Sequence, residues 1–265
     1  MGVSGNIWTP TEIASVATLR TDVADALPPA SPLRFNNISS KLNLNGFDQT
    51  VSELYHLSTG NIHSDRPATL TVNQDTSTTY AGKLTGVLNL LKTGTGTLIL
   101  SNSTSTTTGD ITVTNGTLTV AIANSLGNST NVTVLGGTLE LKTQHGIVDT
   151  ASLSITNGKV EIGAGLSERV GQLFINGVQQ TSGTWGSTDS GATHADDTHF
   201  SGNGTIYVVN SPPVSSTDAI WDGAGADTLL STAANWQGDA APVFDGTTRA
   251  IFGTGGTTAT VNTAA

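Results

Sequence analysis

The sequence predicts an all-β chain wound as a parallel β-helix, a β-solenoid with coils of 20–21 residues. Three observations predict it. Gly96, Gly116, Gly137 and Gly158 stand 20, 21 and 21 residues apart. They head four otherwise diverged segments: GTGTLIL (94–100), NGTLTV (115–120), GGTLEL (136–141) and NGKVEI (157–162). Apolar residues alternate in these segments and in the short runs that precede the last three glycines. The pairs are Ile111/Val113, Leu118/Val120, Val132/Val134, Leu139/Leu141, Leu153/Ile155 and Val160/Ile162. Such alternation turns one set inward and leaves Thr, Ser and Glu outside. Finally, no Phe, Trp or Tyr occurs from Ala81 to Leu173, so the core there is a thin aliphatic bore.

Each period holds a strand, a small-residue corner, a second strand and a polar connection. A fixed period of this length is the signature of stacked supersecondary units. Like strands then pair in parallel about 4.8 Å apart, so some 200 residues make a rod of roughly 45–50 Å. Gly and Asn at the corners tolerate positive φ, which β-branched residues resist. An antiparallel sandwich also uses short alternating strands, but it does not require constant spacing and usually brings aromatics into its core.

Residues 1–32 are expected to form an N-terminal cap. Its one helical candidate is TPTEIASVATLRTDVADAL (9–27), where Thr9-Pro10-Thr11-Glu12 resembles a helix start. Residues 33–209 carry the β-helix. A Pro/Ser-rich linker follows at 210–217. Residues 218–265 open a second, partial unit: Ile7-Trp8 is echoed by Ile220-Trp221, and Phe35 by Phe252, at offsets of 213 and 217. Trp8, Phe35, Trp221 and Phe252 are therefore expected to cap units or pack between them.

Composition narrows the function. Charged residues are only 11% and the net charge is −10, from 20 acids against 10 bases. Few charges argue against disorder. The acidic balance argues against nucleic acid, which requires a cationic surface. There is no cysteine, hence no disulfide or thiolate metal site. No apolar run approaches the ~18 residues of a membrane span. The start, MGVSGNIWTP, lacks the basic and apolar regions of a secretory signal, so the expectation is either export by something outside this chain or a chain that is a processed form or a fragment.

The stretch KTGTGTLILSNSTSTTTGDITVTNGTLTV (92–120) resembles the autotransporter-associated β-strand repeat of bacterial surface proteins. Lys92, Gly94, Gly96, Leu98, Leu100, Gly109, Gly116, Leu118 and Val120 match its pattern in order. LNLNGFDQTVSEL (42–54), LFINGVQQTSGTWG (173–186), FSGNGTIYV (200–208) and the Trp221 to Trp236 opening resemble the flanks of that repeat. The resemblance implies a right-handed parallel β-helix displayed outside the cell as a stalk, adhesin or fibre.

Chemistry-bearing residues are sparse. HADDTH gathers His194, Asp196, Asp197 and His199, a set able in principle to ligate a divalent ion, though its Ser/Gly/Ala/Thr flanks read as an exposed loop. Glu140 and Glu161, 21 apart, should stack on adjacent coils, with Lys142 and Lys159 beside them as a solvated charge ladder. Asp222 to Asp227 reads as a turn beside Trp221. Trp8, Trp185, Trp221 and Trp236, where exposed, could stack on sugars, but their placement at unit ends beside Gly and Pro fits capping and packing between units better. The expectation is a non-enzymatic extracellular module that builds a stalk, adhesin or fibre from stacked units. It needs no cofactor, and its partners are copies of itself end to end, with surface glycans second. The alternative is a glycan-binding or glycan-cleaving β-helix.

Overall fold

The computed structural model of the protein describes residues 10–56, 58–211, 217–237, 239, 241–242 and 248–252. The chain divides into two compact units, 1–211 and 212–265. The first is a β-solenoid of about 8 turns built from parallel coils of about 21 residues.

The glycine spacing is the pairing register. Leu98 lies in parallel register with Leu118, Leu118 with Leu139, and Leu139 with Val160. The strands Thr97–Leu100, Thr117–Val120, Thr138–Leu141 and Lys159–Ile162 thus form one wall, extended backwards by Ser77–Tyr80. A second wall stacks Leu90, Ile111, Val132, Leu153 and Leu173 in the same way. These aliphatic side chains are at most 1% exposed. Each strand buries alternate residues because each coil supplies one layer of the bore and its outward residues meet water.

The polar connection between the walls makes a third side. Ser105, Leu126, Ile147 and Glu168 follow one another at intervals of 21 and are all buried. Thr107 shows how a polar residue is accommodated there. Its hydroxyl donates to the Leu88 carbonyl (2.7 Å) and accepts the Leu88 N–H (3.3 Å). Gln74 does the same at a corner: its amide donates to the Thr97 and Thr76 carbonyls and accepts the Leu54 N–H. Buried amides and hydroxyls in this position replace main-chain partners that the turning backbone loses.

The helix expected within 9–27 does not form. Thr11–Ile13 and Thr18–Arg20 are strands, in register with Leu33–Phe35 and Lys41–Asn43. The stretch is rich in β-branched Thr, Ile and Val, and Thr11 and Ile13 are buried in strand alternation. Extended pairing on the next coil satisfies the backbone and buries Ile13 at once. A lone helix would have to be held by its own weak propensity.

The regular winding ends after Ile162. Val160 pairs next with Phe200, 40 residues on. The intervening chain adds Ser167–Val170, Gln172–Ile175, a short return strand at Val178–Gln179 and Gly183–Gly186, the last antiparallel to Thr205–Val208. In the second unit, Thr217–Trp221 and Thr248–Phe252 run parallel. Trp236 is 1% exposed and meets Trp221 edge to face at 5.2 Å.

Candidate functional site

The four ruler glycines line one corner, where each coil presses on the one before. A Cβ on Gly116 would sit 2.3 Å from the Gly96 carbonyl oxygen, and one on Gly137 would sit 2.4 Å from that of Gly116. Both also have φ near +64°. At Gly96 the obstacle is the Thr76 carbonyl, and at Gly158 the Val134 side chain; there the left-handed residue is the neighbouring Asn157. The corner is therefore a contact surface between coils with no room for side chains.

Lys92 breaks the aliphatic bore. It stands in register with Val72 and Val113 and is 0% exposed. Its ammonium donates to the carbonyls of Thr93, Gly94 (3.0 Å), Gln74 (3.4 Å) and Asn115 (3.5 Å). These oxygens belong to the corners that turn around it, so the lysine ties three coils together from inside. Burial lowers its pKa from the usual 10.5 to about 8, and the nearby Asp75 carboxylate opposes that shift. The sequence marks Lys92 as the first residue of the matched repeat pattern; the alternation Leu88, Leu90, Lys92 and its 21-residue spacing from Val113 are the signals that it points inward, masked by its charge.

Glu168 is the second buried charge, 1% exposed. Oε1 accepts the Ile147 N–H at 2.6 Å, while Oε2 has no partner. Burial pushes its pKa up, and the hydrogen bonds from the Ile147 and His145 N–H groups partly offset this. Its 21-residue spacing from Ile147 was the one available signal, hidden by its polarity.

HADDTH is brought together as a loop but divided in its contacts. His199 Nδ1 lies 2.7 Å from Asp196 Oδ2. Burial raises the Asp196 pKa, but the hydrogen bonds from His199 and Thr198 outweigh it and hold the carboxyl below the usual range. Asp197 instead accepts from the Thr188 hydroxyl (2.6 Å) and N–H (2.7 Å), which lower its pKa. His194 stacks on Trp185, ring centroids 4.5 Å apart. Among the described residues no group of three or more His, Cys, Asp or Glu converges as a metal ion requires.

Trp185 has one ring face against His194 and donates its indole N–H to the Thr181 carbonyl (3.0 Å). Glu140 and Glu161 are neighbours in register. Glu140 accepts from Thr119 (2.6 Å) and pairs with Lys142 (3.0 Å), while Lys159 turns to the Asp197 carbonyl.

Phe35 is wholly buried inside the first unit, between Ile13 and His56 in its ladder and 5.8 Å from the Tyr80 ring. Trp221 and Phe252 are paired partners in the second unit, 5.8 Å apart. Trp8 lies outside the described residues. Asp222 accepts from the Ala224 N–H, whereas Asp227 accepts from Leu229, Thr232 and Asn235, so the two acids stabilise separate turns.

No protein-family model, curated protein or solved structure matches the chain. Among the described residues no helix is long and apolar enough to cross a membrane.

Proposed function

We propose that this protein is a structural module of the bacterial cell surface, a rigid rod segment that builds a stalk, adhesin or fibre by end-to-end stacking of β-helical units. The observation that carries the reading is the continuous register of the two walls, in which successive coils between Leu98 and Ile162 and between Ile111 and Ile155 lay Leu, Val or Ile on Leu, Val or Ile of the next. That construction spends its residues on length and stiffness. Its outward face is rich in Thr, Ser and Asn, with Glu140 and Glu161 among them.

Strand edges support stacking. Among the described residues, Thr11–Ile13 and Thr18–Arg20 lie at the outside of their ladders, as does Phe200–Ser201 at the other end, whereas Val178–Gln179 folds back over the edge of Gln172–Ile175. Open edges are templates for further pairing. The likeness of 92–120 to the autotransporter-associated repeat supports an extracellular setting and a right-handed coil.

Electron microscopy of the purified protein tests the proposal. Rods or head-to-tail filaments are the expected result. Dispersed single particles at high concentration, together with glycan binding abolished by Trp185→Ala, would replace it with a glycan-binding role.

A further inference from the structure

One rung of the glycine corner holds a reactive dipeptide. Of the five Asn-Gly pairs in the chain, Asn115-Gly116 lies at the corner between the strands Ile111–Val113 and Thr117–Val120. Asn115 is exposed. One coil earlier, the Gly96 N–H donates to the Gln74 carbonyl at 2.8 Å and so helps to stack the coils. The Gly116 N–H donates instead to Oδ1 of Asn115 itself, at 2.9 Å. A main-chain nitrogen is therefore held against the side-chain amide of the residue before it. That nitrogen can close a five-membered ring on Cγ, and holding the two groups together removes much of the entropic barrier. The corner also requires glycine on the nucleophile's side, because a Cβ on Gly116 would meet the Gly96 carbonyl at 2.3 Å.

The other pairs are arranged differently. The Gly46 N–H donates to the Ser64 hydroxyl (3.1 Å), and the Gly204 N–H donates to the Ile162 carbonyl (3.2 Å). Asn157 and Asn176 line a cleft of about 300 Å³ beside His199, where the Asn176 amide nitrogen faces Nε2 at 3.5 Å. Among the described residues, only the Gly116 N–H bonds to the oxygen of the asparagine before it.

We infer that Asn115 is a site of spontaneous covalent modification, at which asparagine becomes isoaspartate. The Gly116 nitrogen loses its proton and bonds to Asn115 Cγ. The Cγ–Nδ2 bond breaks, ammonia leaves with that proton, and a succinimide remains. Water then adds to the former main-chain carbonyl carbon. The bond from that carbon to the Gly116 nitrogen breaks, the nitrogen regains a proton, and the chain continues through Cγ. One water enters and one ammonia leaves. Lys92 directs the ring opening. Its buried ammonium lies 3.5 Å from the Asn115 carbonyl oxygen. There it polarises that carbonyl and pairs with the carboxylate that results. The product has one more main-chain atom in a corner where the coils already touch, so it loosens the stack. The inference does not rest on the rod reading, since it concerns one rung of one corner.

Peptide mapping by mass spectrometry tests it, on the full chain aged at mildly alkaline pH with a parallel sample in urea. In the folded protein Asn115 should deamidate about tenfold or more faster than Asn45, Asn157, Asn176 or Asn203. In urea all five should react at similar rates, since each precedes glycine. Fragmentation that separates the two isomers should give isoaspartate as the main product. The aged protein should unfold at a lower temperature than fresh protein. Asn115→Gln closes a larger ring far more slowly and should keep its transition on ageing. Asn115 is exposed, so this variant keeps the fold, verified by an unchanged transition before ageing. Asn115 left intact when the urea sample has reacted, equal folded rates at the five sites, aspartate as the main product, or an equal loss on ageing in Asn115→Gln would each overturn the inference.

Discussion

Lys92 occupies the rung that Val113 fills one coil later, so an ammonium stands where the bore is otherwise aliphatic. The carbonyls of four different residues surround it. Truncation removes both the donor and the buried stem. Lys92→Ala is expected to cost about 2–4 kcal/mol, from a cavity plus stranded carbonyls. Thermal unfolding checks this.

The same lysine should leave a signature in alkali. The folded protein releases its proton near pH 8, and the unfolded chain holds it to 10.5. A depressed folded pKa means that the unfolded state binds more protons in that window, so stability rises with pH there. The penalty for the buried ammonium is complete below pH 8 and absent above 10.5. Wild-type protein should therefore gain stability relative to Lys92→Met between those limits, measured by urea unfolding at several pH values.

The glycine corner predicts a contrast between two substitutions. Gly137 and Gly165 both have positive φ, but only Gly137 has a carbonyl 2.4 Å from the missing Cβ; Gly165 has nothing within 4 Å. Gly165→Ala should cost about 1–2 kcal/mol, the price of the left-handed backbone alone. Gly137→Ala should cost about 3 kcal/mol or more, because a coil must also move. Equal losses in denaturant titrations would mean that stacking of the corners is not what selects glycine.

Glu168 should behave in the opposite sense to Lys92. Its folded pKa is raised by burial, so its favourable contribution is complete below the unfolded value of 4.5 and is lost as pH rises through the folded value. Glu168→Gln keeps an oxygen for the Ile147 N–H and removes the charge. It should unfold a few degrees higher than wild type at pH 7, about 1 kcal/mol. The advantage should close below pH 4.5, where the native side chain is neutral.

In the second unit, Trp236 is buried against Trp221 and Phe252 and donates its indole N–H to Leu230. Trp236→Ala should cost about 3–5 kcal/mol. Limited proteolysis should then cleave within 212–265 and spare 1–211, since the two are separate compact units.

The solenoid was legible because its period is written in two kinds of residue at once. Glycine at 96, 116, 137 and 158 marks the corner, and alternating aliphatics mark the walls, so a single register satisfies both. The third side is not legible in the sequence although it keeps the same interval. Ser105 and Glu168 stand at the ends of its row, and a hydropathy pattern reads them as exposed loop. The stretch 9–27 carries a helix-like pattern but forms strands for a related reason. Its cap-like Thr-Pro-Thr-Glu opening is a local signal, and pairing with the next coil outweighs it.

The candidate site was half legible. HADDTH announced a polar cluster, but ligand type alone could not tell convergence from division. The fold assigned Asp196 to His199, Asp197 to Thr188 and His194 to Trp185. It then set His199 beside Lys159 and Asn176, residues 40 and 23 positions away in sequence.

The sequence by itself determined the coil length, the parallel register and the aliphatic bore, because these follow from spacing and alternation, which are properties of the chain read along its length. Only the tertiary structure decided which polar side chains turn inward and which corner becomes a cleft. Those depend on which carbonyls and donors the stacked coils leave unsatisfied, and that shortage exists only once the coils are in contact.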